Sequence, residues 1–233
     1  MKKLRFLAVI VSVIMVCMMI TGCGSDKGSE ESSEKTADDG STIDYMVLVN
    51  KENKLPDGWE KALETVKIKD SQGWDVEVEK KAYDAYLDLK KDLEKDDVHV
   101  DLDSAYRSVK EQKRIVKDFT KKYGKKYVKK YVAVPGYSEH HTGLALDLYL
   151  NINGKDVYEN EDMMKYPKVW AKIHKKLADH RFILRYLKDR DDITGYAYEP
   201  WHIRYLDDKD VAKEIMDKDI TLEEYLDKVP KSE

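Results

Sequence analysis

Cysteine is almost missing from this chain: Cys17 and Cys23 are the only two in 233 residues. Everything after residue 23 therefore lacks disulfides, and a Cys–His nucleophile is excluded. A Gly-rich phosphate loop is absent, and so is any internal repeat, which removes the usual nucleotide cradle and the solenoid architectures. There is no excess of positive charge either. Formal net charge is −4, with 42 Lys and Arg against 46 Asp and Glu. Runs such as KKDLEKDD and DFTKKYGKKYVKKY are dense in charge and read as solvated helix faces. Composition thus offers no support for nucleic-acid binding.

The first apolar run is the long one. Lys2, Lys3 and Arg5 precede an almost unbroken hydrophobic stretch from Phe6 to Ile20, the pattern of a secretory signal and at the short edge for a membrane-spanning helix. It closes on Ile20-Thr21-Gly22-Cys23, which resembles the bacterial lipobox, so Cys23 is the expected site of lipidation and the new N-terminus. Residues 1–22 are then a lipoprotein signal peptide. Removing its three cations takes the formal charge from −4 to −7. Residues 23–42, with GSDKGSEESSEKTADDGST after the cysteine, contain almost nothing to bury and read as a flexible acidic tether. Residues 43–233 remain, roughly 190, a normal size for one domain with its own core. The expected location is extracytoplasmic, on the membrane through the lipid, and a monomer is expected.

Within that domain, DYMVLVN (44–50) predicts a first strand and LPDGW the turn after it. Residues 76–93 place Val78, Ala82, Ala85, Tyr86, Leu89 and Leu93 at helical spacing. VHVDLDSAY (98–106) alternates as a strand does and delivers Arg107 at its end. A second helix is predicted from Ser108 through Lys122, with Ser108 and Glu111 in capping-box spacing. Residues 145–158 suggest a hairpin around Asn153-Gly154, and a third helix covers about 162–180. FILRY (182–186) and WHIRYL (201–206) are the last strands, before a short final helix. Strands and helices are grouped rather than alternating, so the predicted class is α+β, a mainly antiparallel sheet with helices packed on it.

Chemistry concentrates in the histidines. His174 and His180 lie on a Lys-rich helix and read as surface residues, and His99 reads as structural within an apolar strand. His140, Asp147 and His202 differ, because Asp147 interrupts the apolar run LALDLYL. Two imidazoles and a carboxylate delivered from separate elements would leave a zinc ion the open position that hydrolysis requires. Alone, this dispersed set fits structural histidines and a buried salt bridge as well. Pro200 biases Glu199 towards an extended backbone. A plain strand would send residues 199 and 202 to opposite faces, so a bend is needed before Glu199 can stand beside the metal as a general base.

The run Ser138-Glu139-His140-His141-Thr142-Gly143-Leu144-Ala145-Leu146-Asp147 resembles the SxHxxGxAxD motif of VanY-like D-alanyl-D-alanine carboxypeptidases. These are grouped with lysostaphin-type and hedgehog-type domains as LAS metallopeptidases. Glu199-Pro200-Trp201-His202 and Ser104-Ala105-Tyr106-Arg107-Ser108 resemble two further motifs of that family, in the same order, over roughly residues 44–206. The resemblance implies one Zn²⁺ per chain on His140, Asp147 and His202, with Glu199 as base. Arg107 would hold either the peptide's terminal carboxylate or the developing oxyanion. Gln112, Ser138 and Tyr196 are carried over as substrate-positioning groups, and Trp201 is expected beneath the site. Strict alternation would put His141, not His140, on the face of Asp147; Gly143 can break that parity. His141 stands where the family has glutamine and is read as supporting the site or lining its groove. The implied substrate is the peptidoglycan stem peptide, trimmed as a D,D-carboxypeptidase or as an L,D-carboxypeptidase. The reading of a different class is an inactive wall-binding module.

Overall fold

The computed structural model describes residues 42–228. The predicted signal peptide, Cys23 and the predicted tether up to residue 41 lie outside the described residues. Among the described residues no helix is long and apolar enough to cross a membrane.

Strands β1 (Thr65–Lys69) and β2 (Asp75–Glu79) form an antiparallel hairpin. Helix α1 (Lys80–Glu94) comes at once, its N-cap being Glu79, whose carboxylate accepts from the Ala82 N–H at 2.7 Å. Ala82, Ala85, Tyr86, Leu89 and Leu93 form its buried stripe, as their spacing predicts. The predicted helix began four residues too early: Val76 and Val78 alternate with Asp75, Glu77 and Glu79 and pair with β1 instead.

Strand β3 (His99–Ser104) leads through Arg107 into α2 (Val109–Tyr123), capped by the Ser108 hydroxyl accepting from the Glu111 N–H. Helix α3 (Lys125–Tyr131) continues after Gly124, and a turn of 3-10 helix (Glu139–Thr142) precedes β4 (Ala145–Ile152) and β5 (Lys155–Val157). The predicted Asn153-Gly154 turn joins β4 to β5, both residues at positive φ.

The long third helix is divided. Short α4 (Asn160–Met163) ends before Pro167, which opens α5 (Pro167–Leu177), and a 3-10 turn carries residues 178–180. Proline lacks the N–H that a continuing helix needs and suits the first turn of a new one. Strand β6 (Phe182–Tyr186), short α6 (Asp191–Thr194), β7 (Glu199–Tyr205), α7 (Lys209–Lys218) and α8 (Leu222–Tyr225) complete the order.

The main sheet is antiparallel, in the order β3-β4-β7-β6, with β5 also paired to β4. Its buried face, α1 and α5 enclose the larger apolar cluster, centred on Leu89, Leu146, Leu148, Trp170 and Ile203. A smaller cluster joins Leu48 and Ile183 to α7 and α8.

Residues 44–50 are not a strand, although 47–50 are buried. Their carbonyls bond to a side chain instead: the Arg204 guanidinium donates to Tyr45 O and Val47 O, each at 2.9 Å. Asn50 Oδ1 then accepts from the Glu52 and Asn53 N–H groups and turns the chain. Three histidine readings also change. His174 is half-buried, stacks on Trp170 and bonds to Pro200 O at 2.9 Å. His180 is half-buried against Asp92, and His99 is exposed beside Asp97.

Candidate active site

Register puts the acid and one histidine face to face. Asp147 on β4 is the direct partner of His202 on β7, and on its other side pairs with Ser104 of β3. The β3–β4 register shifts between Leu102 and Ser104, leaving Asp103 as an extra residue, and a bulge there re-aims the end of the strand. Arg107 comes next, on the loop after β3.

His140 arrives differently. Residues 139–142 are a 3-10 turn, so strand parity does not apply to them, and Gly143 at φ +75° reverses the chain into β4. A side chain at Gly143 would also press on Leu63 and Glu79, its Cβ only 3.0 Å from Leu63 Cδ1 and 3.2 Å from Glu79 Cβ. The turn directs His140 Nε2 to within 3.1 Å of Asp147 Oδ2, and His141 points elsewhere.

The hydrogen bonds settle the tautomers. His140 donates from Nδ1 to Ala105 O at 2.7 Å, which leaves Nε2 as the lone-pair nitrogen. His202 donates from Nε2 to Glu139 Oε2 at 2.9 Å, which leaves Nδ1 facing Asp147 Oδ1 at 3.0 Å. Asp147 Oδ1 is buried and accepts no hydrogen bond. One ligand atom from each of the three residues lies within 4.8 Å of the others. Two imidazole nitrogens and a carboxylate this close repel unless a proton or a metal cation lies among them, and this donor set suits zinc with one position open.

Charge tells the same story. Burial pushes His140 below its ordinary pKa, partly offset by Asp147. Burial would lower His202 as well, but the carboxylates of Asp147 and Glu139 overrule it and push it up to about 10. The site without metal therefore holds a proton that a metal must displace.

Glu199 stands beside this triad, its Oε2 3.8 Å from His202 Nδ1. It reaches there because the β6–β7 register shifts: Leu184 pairs with Ile203 and Tyr186 with Glu199, so three β7 residues lie opposite Arg185 alone. That is the bend the sequence required. Burial above all, then the Asp147 and Glu139 charges, pushes Glu199 up to about 7, against the pull of His202 and Arg107.

Arg107 donates to Gln112 Oε1 (3.1 Å) and Ser104 Oγ (2.9 Å) and, among the described residues, has no ion-pair partner. Gln112 is buried, and its amide is taken at both ends, by Arg107 and by Ala133 O. It braces the guanidinium and also lines the cleft in which the sequence reading had it position substrate. Ser138 and Tyr196 line the same cleft of about 430 Å³, as do Trp201, Asp103, Phe119 and Tyr131. Tyr196 packs on Tyr186 under Lys51, and burial together with the Glu199 charge pushes its hydroxyl up to about 12. His141 donates from Nδ1 to Arg107 O and accepts the Gly136 N–H on Nε2, tying the Arg107 loop to the turn before the motif.

Sequence reasoning missed the support beneath. Fully buried Glu139 accepts from Arg185 Nε (2.7 Å) and Arg204 Nη1 (2.9 Å) as well as from His202. Arg185 in turn makes a two-pronged pair with Glu223 of α8, which also holds Asn50. The signal was available: FILRY and WHIRY each carry one arginine in an otherwise apolar run, and Glu139 adjoins the histidines.

An antiparallel sheet with three metal-type ligands, an adjacent carboxyl group and an unpaired arginine in one cleft defines a metal-dependent hydrolase. Comparison narrows the class. The family described as VanY, D-alanyl-D-alanine carboxypeptidase, matches residues 75–208. The Bacillus subtilis (strain 168) protein YodJ is 37% identical over 190 residues, covering 80% of this chain and 68% of YodJ. Among solved structures, the LdcB LD-carboxypeptidase has a TM-score of 0.68 at 35% identity, covering 81% of this chain and 88% of that one. A mutant of the D,D-pentapeptidase VanY from a VanB-type resistance cassette, in complex with Zn(II), has a TM-score of 0.64 at 30% identity. It covers 78% of this chain and 98% of that one. The chain belongs to the VanY D-alanyl-D-alanine carboxypeptidase family.

Proposed function

We propose that this protein is a zinc-dependent carboxypeptidase that removes the C-terminal D-Ala from peptidoglycan stem peptides. The observation that carries the reading is the convergence of His140 Nε2 on Asp147 Oδ2 and of His202 Nδ1 on Asp147 Oδ1, with Glu199 and Arg107 facing the same cleft. Bound on those three residues, Zn²⁺ would supply Lewis acidity, lowering the pKa of a water and polarising the scissile carbonyl. Glu199 takes the water's proton on its carboxylate and delivers it to the departing amine as the C–N bond breaks. Arg107, braced by Gln112 and Ser104, presents its fork to the terminal carboxylate of the peptide. Ser138 and Tyr196 contribute hydroxyls on the cleft wall. A wall-binding module would need neither a base nor an unpaired cation beside the metal ligands.

The second reading, an L,D-carboxypeptidase acting on tetrapeptide stems, is favoured by the likeness to LdcB. Incubating the protein with defined tetra- and pentapeptides, with and without chelator, separates the two by mass spectrometry. Loss of one alanine from the pentapeptide, abolished by chelator, is the expected result. Cleavage of neither peptide by zinc-loaded protein overturns both readings. The lipobox-like Cys23 supports an extracytoplasmic enzyme held on the membrane by lipid. Cys23→Ser is expected to give unlipidated protein, and a lipid still present on its processed N-terminus would refute that location.

A further inference from the structure

One element of the fold has a surface that catalysis does not use. From α2 into α3 the sequence KKYGKKYVKKY repeats a Lys-Lys-Tyr unit every four residues, a short reiteration inside a chain without larger repeats. Residues 119–138 contain six lysines and no acid, in a chain whose overall charge is negative.

Elsewhere in this protein some helix lysines are paired and others, Lys168, Lys175 and Lys213 among them, are not paired among the described residues. Lys91 meets Asp88, Lys95 meets Asp92, and Lys218 meets Glu214. Lys121, Lys122, Lys125, Lys126 and Lys129 are exposed, and among the described residues none has a carboxylate within ion-pair distance. What sets these lysines apart is the absence of any acid from residues 119–138 and the exposed rings among them.

The same element is also the most apolar part of the surface. Nine large hydrophobic residues are exposed among the described residues, and six of them are Val109, Phe119, Tyr123, Tyr127, Tyr131 and Val134. Phe119 to Tyr131 form a continuous ladder with ring centroids 5.5, 4.7 and 4.8 Å apart. Tyr123 and Tyr127 stack and Tyr131 tilts against Tyr127, so faces of these rings are used within the ladder. Stacking a sugar would require a free face. A soluble polyanion would use the lysines and leave the apolar groups without a role. Lysines without carboxylate partners beside exposed rings instead match a helix lying in a lipid–water interface, with rings at headgroup depth and ammonium groups on the phosphates.

We propose that the α2–α3 elbow, residues 119–134, docks on a bilayer surface carrying anionic phospholipid headgroups. Phe119 and Tyr131 also line the catalytic cleft, so docking sets the cleft mouth at the lipid surface, where stem peptides carried on a lipid are presented. Only the identity of that peptide rests on the carboxypeptidase reading; the lipid contact does not, and it is separate from any lipid on Cys23.

Hydrogen exchange of the full chain tests this on phosphatidylcholine vesicles with and without phosphatidylglycerol. Exchange across residues 119–134 should slow only with phosphatidylglycerol and recover in high salt. The triple variant Lys125→Gln/Lys126→Gln/Lys129→Gln should weaken the anionic-vesicle interaction by on the order of 10²-fold, from about fivefold per lysine. Its hydrolysis of a soluble stem peptide should be unchanged, which shows the fold and site intact. Equal protection on pure phosphatidylcholine, or undiminished protection in the triple variant, overturns the proposal. So does protection of the elbow by lipid-free glycan strands in place of vesicles, which would make it a polymer subsite. Failure of the wild type to hydrolyse any stem peptide would sink the enzyme reading and leave this docking result standing.

Discussion

Replacing Glu139 by glutamine should damage stability and metal binding together. Glu139 and Glu223 balance Arg185 and Arg204 in a group where all four side chains are fully buried. Burial alone would raise the Glu139 pKa, but the two guanidiniums hold it well below the ordinary carboxylate range. Glutamine keeps the shape and leaves that group one positive charge in excess. Its amide cannot accept from Arg185, Arg204 and His202 at once without turning an N–H towards one of these donors.

Breaking a buried pair from one side costs about 3–5 kcal/mol, which for a domain this size lowers Tm by roughly 6–20 °C. The lost acceptor on His202 Nε2–H also releases the ring's tautomer and orientation, and zinc affinity should fall about 10- to 100-fold. Glu223→Gln is the control. It disturbs the same Arg185 and Asn50 but does not touch His202, so it should lose comparable stability and keep its zinc affinity. Calorimetry and zinc titration against a competing chelator read the two effects separately. If both variants lose zinc equally, or Glu139→Gln melts within a degree of the wild type, Glu139 does not link the arginines to His202 in this way.

Alanine at His140, Asp147 or His202 should each abolish stoichiometric zinc by metal analysis, whereas His141→Ala should retain it and impair catalysis through the Arg107 loop; full zinc in His140→Ala would refute the ligand choice. Glu199→Gln should lower kcat by on the order of 10²- to 10⁴-fold with zinc content unchanged, and loss of zinc would make Glu199 a ligand. Because Glu199 must be ionised to accept a proton, kcat/KM should fall as pH drops through its pKa. A bound dication pulls that pKa down from about 7, so an acid limb lying above 7 would contradict the assignment. Arg107→Lys keeps the charge but loses the fork, and kcat/KM should drop for free-carboxylate peptides as it does when wild type meets an amidated C-terminus; equal cleavage of free and amidated peptides would move Arg107 to the oxyanion.

Much of this protein is legible in its sequence. Helical spacing located α1, the Ser108–Glu111 spacing located the start of α2, and Asn153-Gly154 located the β4–β5 turn, because these are local properties of a few neighbouring residues. An aspartate inside LALDLYL is out of place in a core strand and drew attention to the site, but the metal set was named by its resemblance to the family motif.

What stayed hidden depended on partners distant in sequence. Residues 44–50 look like a strand by composition, yet Arg204, more than 150 residues later, takes their carbonyls. His174 looks like a surface histidine until Pro200 O is found beside it. Local patterning could not decide between His140 and His141; a 3-10 turn and a positive-φ glycine did. The bulge in β7 that brings Glu199 to His202 exists only against β6. Local sequence therefore determined the elements and the kinds of chemical group available. Which atom of each group faces Asp147, and what lies buried behind it, was decided by tertiary structure, because register and burial are properties of pairs of strands and not of either strand alone.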